Sequence, residues 1–441
     1  MASFTAPRPG VRPRWWRLLY AGVMVVVVLW MVGRDMTFMR RAFVYDVFIY
    51  QCYARGFWQG PQGSIVAAPE TRACAPFWGQ TPKRFHTFPR EYPAPALAVF
   101  SLPLLTPWLP YNAAYLLWMA LLLLLATGVI AWRGPPMAAV AFPLYVLLAG
   151  WQFVLFRYDL APGLCVLLAL AFLRGGRWRA ATVMLAVGTL MKGFPAFLLP
   201  VALMAQRRQD GRWRLDCPLI FAALMFMGLA PAFLVNPAGL LAPLGYAAHR
   251  PLHVESLSGA LLWLLDLWSG HRARIVFSYG SYNVEGMWQG IVAAVFSVLL
   301  VVGLACVYWR QWRGRVGVER AFMLVLIVVL VSNKVFSPQY ILWLLPTVAY
   351  VEGVRVRWLI VATLVFFISG DGALPFVTEH LHPFLPPGRF PTPSFVVEIL
   401  ACHVALCGIA LFYERARGLN SGGELANGVT VCPIASYPSK S

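Results

Sequence analysis

The chain has 441 residues, of which 60% are hydrophobic and 12% charged, with a formal net charge of +19 and a mean hydropathy of +0.68. A soluble domain carries about 25% charged residues, so this balance excludes one and describes an all-α polytopic membrane protein. The positive charge sits in short clusters between apolar runs and forms no continuous stripe, which argues against nucleic acid as a partner and makes the clusters topology signals.

Arg8, Arg12, Arg14 and Arg17 precede the first apolar run, roughly residues 16 to 33. By the positive-inside rule residues 1–15 are cytoplasmic. No small-residue cleavage pattern follows the run, so it reads as a retained helix and not as a signal peptide. Residues 34–95 then form an outer loop, charged and rich in Pro and Gly, in an otherwise apolar sequence. Long loops of this kind tend to carry function, so the chemistry is expected here. Asp46 lies in Tyr45-Asp46-Val47-Phe48-Ile49-Tyr50, and Glu91 and Tyr92 in Arg90-Glu91-Tyr92-Pro93. The eight cysteines show no metal-ligand spacing, and only Cys52 and Cys74, both in this loop, are candidates for pairing.

Further spans are expected at about 112 to 132, 137 to 155, 158 to 173, 180 to 192, 195 to 206, 217 to 235, 287 to 309, 320 to 333, 340 to 352, 357 to 369 and 394 to 413. Several fall short of the ~20 residues of a full crossing. The run Pro95 to Pro107 is read as re-entrant or interfacial, because as a crossing it would put the cluster Arg174, Arg177 and Arg179 outside. That leaves twelve spans within residues 16–415, both termini cytoplasmic, a second outer loop at 236–286, another outer segment at 369 to 394, and a disordered tail at 416–441.

Ionisable groups at membrane depth cost about 2.5–3.5 kcal/mol on insertion scales and suggest function by default. Lys192 and Lys334 each fall where one short apolar run turns into the next, on the same side as the long loop. They read either as snorkelling residues or as partners of a shared anionic ligand. Arg157-Tyr158-Asp159 reads as a structural Arg–Asp pair or as part of a site, and Arg250, His253 and Glu255 as site residues or solvated loop polars. The histidines, His380 and His382 included, show no metal spacing, and neither metal nor cofactor is required.

The blocks Asp46-Val47-Phe48-Ile49-Tyr50-Gln51-Cys52-Tyr53-Ala54-Arg55, Glu91-Tyr92-Pro93, Arg157-Tyr158-Asp159-Leu160, Leu190-Met191-Lys192-Gly193-Phe194-Pro195, Val254-Glu255-Ser256 and Asn333-Lys334-Val335-Phe336-Ser337-Pro338-Gln339-Tyr340 stand in that order. Together they resemble the polyprenyl-phosphate-sugar-dependent glycosyltransferases of the GT-C class, most closely the bacterial family 87 group, which includes alpha-1,2-mannosyltransferases. The resemblance covers roughly residues 16 to 415. It implies a GT-C fold of about 12 transmembrane helices, juxtamembrane helices in the first outer loop, and an essential acidic residue that falls on Asp46. The implied partners are a polyprenyl-phosphate sugar donor, a glycolipid or glycan acceptor and membrane lipids. The implied place is the bacterial cytoplasmic membrane, with the active site facing outward. The chain departs from the family at Tyr92-Pro93-Ala94-Pro95, where Tyr-Pro-Pro is usual, and inserts Trp58 to His86.

A glycosyl phosphate already has a good leaving group, so an enzyme needs chiefly a base for the acceptor hydroxyl and cations for the departing phosphate. The roles expected are therefore Asp46 as base, kept ionised by Arg40, Arg41 and Arg55; Lys192, Lys334 and Arg250 on the donor phosphate; and Glu91, Tyr92, Asp159, His253, Glu255, Gln339 and Tyr340 on sugar or acceptor. A transporter or flippase of lipid-linked sugars would share the anionic-lipid logic, but no repeat relates the two halves of the chain.

Overall fold

The structure is a computed structural model that describes residues 22, 25–33, 45–78, 83–135, 137–368 and 393–415. The start of the first span, Arg40, Arg41, the segment with His380 and His382, and the two terminal segments lie outside the described residues.

The described chain is mostly helical. A first helix, α1, runs over 25–33. α2 (Tyr45–Ala67) is kinked at Gly60–Pro61, where Gly60 takes φ 71 and Pro61 can neither donate nor extend the helix behind it. A 3-10 segment, Pro69–Phe77, folds back on α2, and a Cys52–Cys74 disulfide ties the two. Trp78 Nε1 donates to the Cys52 carbonyl at 3.0 Å across the same seam. The run expected to be re-entrant is broken into a 3-10 turn at Ala94–Ala96, the five-residue α3 (Leu97–Ser101) and a second 3-10 turn at Leu102–Leu105, with Pro95 and Pro103 at the breaks.

α4 (Tyr111–Arg133) is a long apolar helix whose first charge is Arg133 and whose C-cap is Gly134. The run expected at 137 to 155 divides at Gly150, φ 103, into α5 (Ala138–Ala149) and α6 (Trp151–Phe156). α7 (Leu160–Arg174) and α8 (Trp178–Met191) form a tight hairpin. The 3-10 turn Phe194–Leu198 leads into α9 (Leu199–Asp210), and α10 (Asp216–Val235) follows. α13 (Gln289–Trp312), α14 (Val318–Ser332), a 3-10 segment at Pro338–Trp343, α15 (Leu345–Glu352), α16 (Val356–Ile368) and α17 (Pro393–Arg415) complete the bundle.

Among the described residues, four helices are long and apolar enough to cross a membrane: α4, α10, α13 and Val396–Tyr413 within α17. α10 is almost entirely unburied, with Leu219, Phe226 and Leu234 exposed. An apolar helix with so little protein against it is solvated by lipid.

The segment 237–285 holds what the sequence did not show. α11 (Pro237–His249) and α12 (Leu257–Trp268) flank a small antiparallel sheet of β1 (Leu252–His253), β2 (Arg274–Ser278) and β3 (Ser281–Glu285), in the order β1-β3-β2. The fold is thus helical in its bundle with one small sheet added, consistent with the all-α expectation. The β2–β3 connection is the two-residue loop Tyr279–Gly280, both at positive φ (54 and 66), the geometry whose twist matches that of a hairpin. β1 pairs with β3 through Leu252↔Val284 and His253↔Asn283, and this fixes the position of His253.

Arginine contacts gather at one end of the bundle. Arg174 meets Glu319 at 2.5 Å, Arg179 meets Asp216 at 2.5 Å, Arg208 donates to the Trp312 carbonyl, and Arg357 grips Glu352. The opposite end carries the turns at Arg157, Lys192 and Lys334 together with the first and second loops.

Candidate active site

Three turns of backbone meet around Asp159. It precedes α7, Lys192 caps the C-terminus of α8, and Trp343 ends the 3-10 segment Pro338–Trp343. Gly163 lets α7 close on that segment, since a Cβ there would stand 2.4 Å from the Leu342 carbonyl oxygen. Lys192 Nζ and Trp343 Nε1 both donate to Asp159 Oδ1, at 2.6 and 2.7 Å. The pair is buried, with side chains 15% and 2% exposed. The ammonium also faces the rings of Tyr340, Trp343 and Tyr158 at 4.3, 5.0 and 5.2 Å, and Phe194 and Tyr340 stack on Trp343. Lys192 is thus held by a carboxylate and three aromatic faces.

A pair between Arg157 and Asp159 is not what forms. Residues two apart at a helix start do not face each other. Arg157 instead forms an ion pair with Asp46, at the first turn of α2. The pair lies against an aromatic cluster in which Tyr158 meets Tyr50, Tyr92 and Phe100 at 5.7, 5.1 and 5.2 Å. Of the expected neighbours of Asp46, Arg40 and Arg41 lie outside the described residues. Arg55 turns to Gln59 at 3.2 Å, and burial pushes the Asp46 carboxyl above its usual range while Arg157 pulls it down. The expectation of a lowered value is corrected: desolvation outweighs the cation.

The second loop closes the cluster. Burial, reinforced by the charge of Asp46, pushes Glu91 up to about 7 against the pull of Arg250 and Arg157. Burial also pushes Glu255 up to about 8, again against Arg157 and Arg250. His253 is held down to about 3 by burial and then by Arg250, so it is neutral near pH 7, and its Nδ1 stands 3.6 Å from Glu255 Oε2, beyond a hydrogen bond. Arg250 donates through Nη2 to Ser281 Oγ at 2.7 Å. Among the described residues, Arg250 Nε and His253 Nδ1 are buried without a hydrogen-bond partner. Lys334 Nζ donates to the carbonyls of Ala248 and Arg250 at 3.0 and 2.9 Å, and its own carbonyl accepts from the His253 amide. Burial and Arg250 lower its basicity. Gln339 is buried, and its Oε1 accepts from Ser337 Oγ at 2.5 Å.

Arg157 therefore lies within electrostatic reach of Asp46, Glu91, His253 and Glu255, and Arg250 of Glu91, His253 and Glu255, while Asp159, Lys192, Tyr340 and Trp343 form an adjoining knot joined to them through Tyr158. Lys334 and Gln339 flank the two groups. Sequence reasoning gave no site role to Trp343 or Ser281, and left Arg157 between a structural pair and a part of a site. Arg157 was visible as an arginine at membrane depth, but its partner lies over a hundred residues away in another loop. The arrangement offers desolvated carboxyls of differing basicity beside two guanidinium groups, which suits proton abstraction next to a bound anion.

Residues 91–338 match the model of glycosyltransferase family 87, more than half of the chain. The match takes in Glu91, Arg157, Asp159, Lys192, Arg250, His253, Glu255 and Lys334, and begins after Asp46. No curated protein and no solved structure matches the chain.

Proposed function

The chain belongs to glycosyltransferase family 87 and is a membrane glycosyltransferase, and from that premise we propose that it moves a hexose, mannose by resemblance, from a polyprenyl-phosphate donor to a lipid or glycan acceptor. The reaction is an inverting displacement on the outer face of a bacterial cytoplasmic membrane. Asp46 takes the proton of the acceptor hydroxyl as its oxygen bonds to the anomeric carbon. The bond from that carbon to the phosphate oxygen breaks, and the phosphate leaves with the electron pair.

The observation that carries this reading is the Asp46–Arg157 pair set beside Glu91, Arg250 and Glu255. A guanidinium has five donors, so Arg157 can hold Asp46 as a carboxylate and meet a phosphate oxygen as well. The buried Arg250 Nε is a donor that such an oxygen would complete. Lys334 spends two of its three donors on carbonyls and keeps one. Lys192 acts on the phosphate from behind its pairing with Asp159. Glu91, Tyr92, Asp159, His253, Glu255, Gln339 and Tyr340 surround the sugar and acceptor.

The outward orientation has two supports. The arginine clusters gather at the opposite end of the bundle, as the positive-inside rule asks of a cytoplasmic face. The Cys52–Cys74 disulfide suits an oxidising compartment.

The test is turnover of purified protein with a polyprenyl-phosphate mannose, read as acceptor-dependent release of polyprenyl phosphate. Asp46→Asn keeps the shape and removes the basicity, and is expected to cost about 10²- to 10⁴-fold in rate with donor binding little changed. Glu91→Gln is expected to cost less. Near-normal turnover in folded Asp46→Asn protein would remove Asp46 as base, and absence of any acceptor-dependent release would remove the reaction.

A further inference from the structure

At the end of the bundle away from the active site, a cavity of ≈ 360 Å³ is lined by Arg320, Glu352, Arg355, Arg357, Phe412 and Tyr413. Its volume lies in the range of about 300–1,000 Å³ typical of small-molecule sites. The single carboxylate in the wall is fully engaged. Glu352 accepts from Arg357 Nη2 on both oxygens at 2.7 Å, from Trp358 Nε1 at 2.9 Å and from Tyr413 OH at 2.5 Å. Arg357 is further fixed over the rings of Phe412 and Tyr413, at 4.8 and 5.2 Å. Glu352 and Arg357 therefore cancel as charges and act as a rigid floor.

Arg320, at the start of α14, and Arg355, just before α16, remain. Among the described residues neither takes part in an ion pair, so the wall keeps two uncompensated guanidinium groups. The Arg355 backbone is held by its amide donating to Tyr145 OH at 2.9 Å. Two guanidinium forks converging on a preformed hollow match the tetrahedral oxygens of a phosphate better than a lone carboxylate, and bind it by charge-assisted hydrogen bonds. Next to the cavity, α16 and α17 turn large apolar side chains outward, Val356 and Ile360 on α16 and Leu411 on α17, beside the half-exposed Phe412 of the wall. A phosphate with an acyl chain attached would have apolar surface to follow.

We propose that this cavity is a phosphate-binding site that holds the headgroup of an anionic phospholipid at the membrane face opposite the active site.

The experiment uses the full chain in a detergent with a neutral headgroup and counts bound lipid by native mass spectrometry. The probes are dioleoyl phosphatidylglycerol, dioleoyl phosphatidylcholine and inorganic phosphate. The expected result is one saturable equivalent of phosphatidylglycerol on the wild type, weakened at least about tenfold in Arg320→Gln/Arg355→Gln, the scale of losing charge-assisted hydrogen bonds. Arg320→Lys/Arg355→Lys keeps the charge and should retain most of the binding. Arg313→Gln/Arg315→Gln removes two exposed arginines from the same face, outside the cavity, and should leave it unchanged. Should the double glutamine variant not fold, Arg355→Gln alone, at an exposed side chain, carries the test. Equal binding by wild type and the folded glutamine variant, or equal affinity for phosphatidylcholine, overturns the proposal. Thermal stabilisation of wild type by inorganic phosphate, lost in the glutamine variant and without phosphatidylglycerol binding, overturns the lipid source in favour of a free phosphate ion.

Discussion

Removing the carboxylate of Asp159 tests whether the knot around Lys192 is a structural strut. In Asp159→Asn the Lys192 ammonium, 15% exposed, loses its counter-charge while remaining inside the bundle. Breaking one side of such a pair typically costs about 3–5 kcal/mol. The lower end, about 3 kcal/mol, is expected here because the Tyr340, Trp343 and Tyr158 rings at 4.3–5.2 Å still attract the cation, and because the new amide oxygen can keep the Trp343 Nε1 hydrogen bond. Lys192→Met should cost a similar amount, since it strands the carboxylate with Trp343 alone. The double variant Asp159→Asn/Lys192→Met buries no unpaired charge and should be more stable than either single change, with a coupling energy of about 2–3 kcal/mol. The assay is reversible unfolding in mixed micelles, with tryptophan fluorescence as the probe. Additivity within about 0.5 kcal/mol would refute the pairing argument. The refolded double variant then gives a second reading through its kinetics. A raised KM for donor with full stability marks Lys192 as a phosphate ligand as well as a strut, and unchanged kinetics confine it to the strut.

Two further outcomes are expected. Replacing both Cys52 and Cys74 by Ser, which opens a link between residues 22 apart, should lower stability by about 3 kcal/mol, and reductant should do the same to the wild type but not to the variant; equal unfolding midpoints with and without reductant would contradict this. Glu255 has a folded value of about 8, above the 4.5 of an ordinary glutamate, so its neutral form favours the fold; that contribution is complete below pH 4.5 and is lost as pH rises through about 8. Glu255→Gln should therefore match the wild type in acid and exceed its unfolding temperature at about pH 9, and parallel curves across that window would count against the burial argument. His253 works in the opposite direction, its contribution being present above 6.5 and lost as pH falls toward about 3, so it adds no slope in the alkaline window.

The bundle was legible because its helices are bounded by signals of one kind: arginines at one end, and Pro, Gly or a lone lysine at the other. The runs expected at 112 to 132, 217 to 235 and 287 to 309 return as α4, α10 and α13 within a few residues. What escaped was tertiary. A strand of two residues such as β1 has no periodicity to read, and its identity comes from pairing with β3 over thirty residues later. The candidate residues were picked out for a simple reason, that ionisable side chains stand out against apolar sequence. Their partners were not found. Asp46 has arginines close by in sequence, yet it pairs with Arg157, because the first turn of α2 meets the turn before α7. Distance along the chain carried no information about that choice.

The 3-10 turns at Phe194–Leu198 and Pro338–Trp343 bear on how the chain's crossings should be counted. A 3-10 helix rises about 2.0 Å per residue where an α-helix rises about 1.5 Å. Five residues of the first followed by the seven apolar residues 199–205 of α9 reach about 20 Å, against about 18 Å for the same twelve residues in an α-helix. A stretched opening turn thus gives a short segment the length of a longer one. It also leaves its prolines, Pro195 and Pro338, at positions where no intrahelical donor is missed. Thickness, not residue number, is the quantity to match when such a segment is compared with a bilayer.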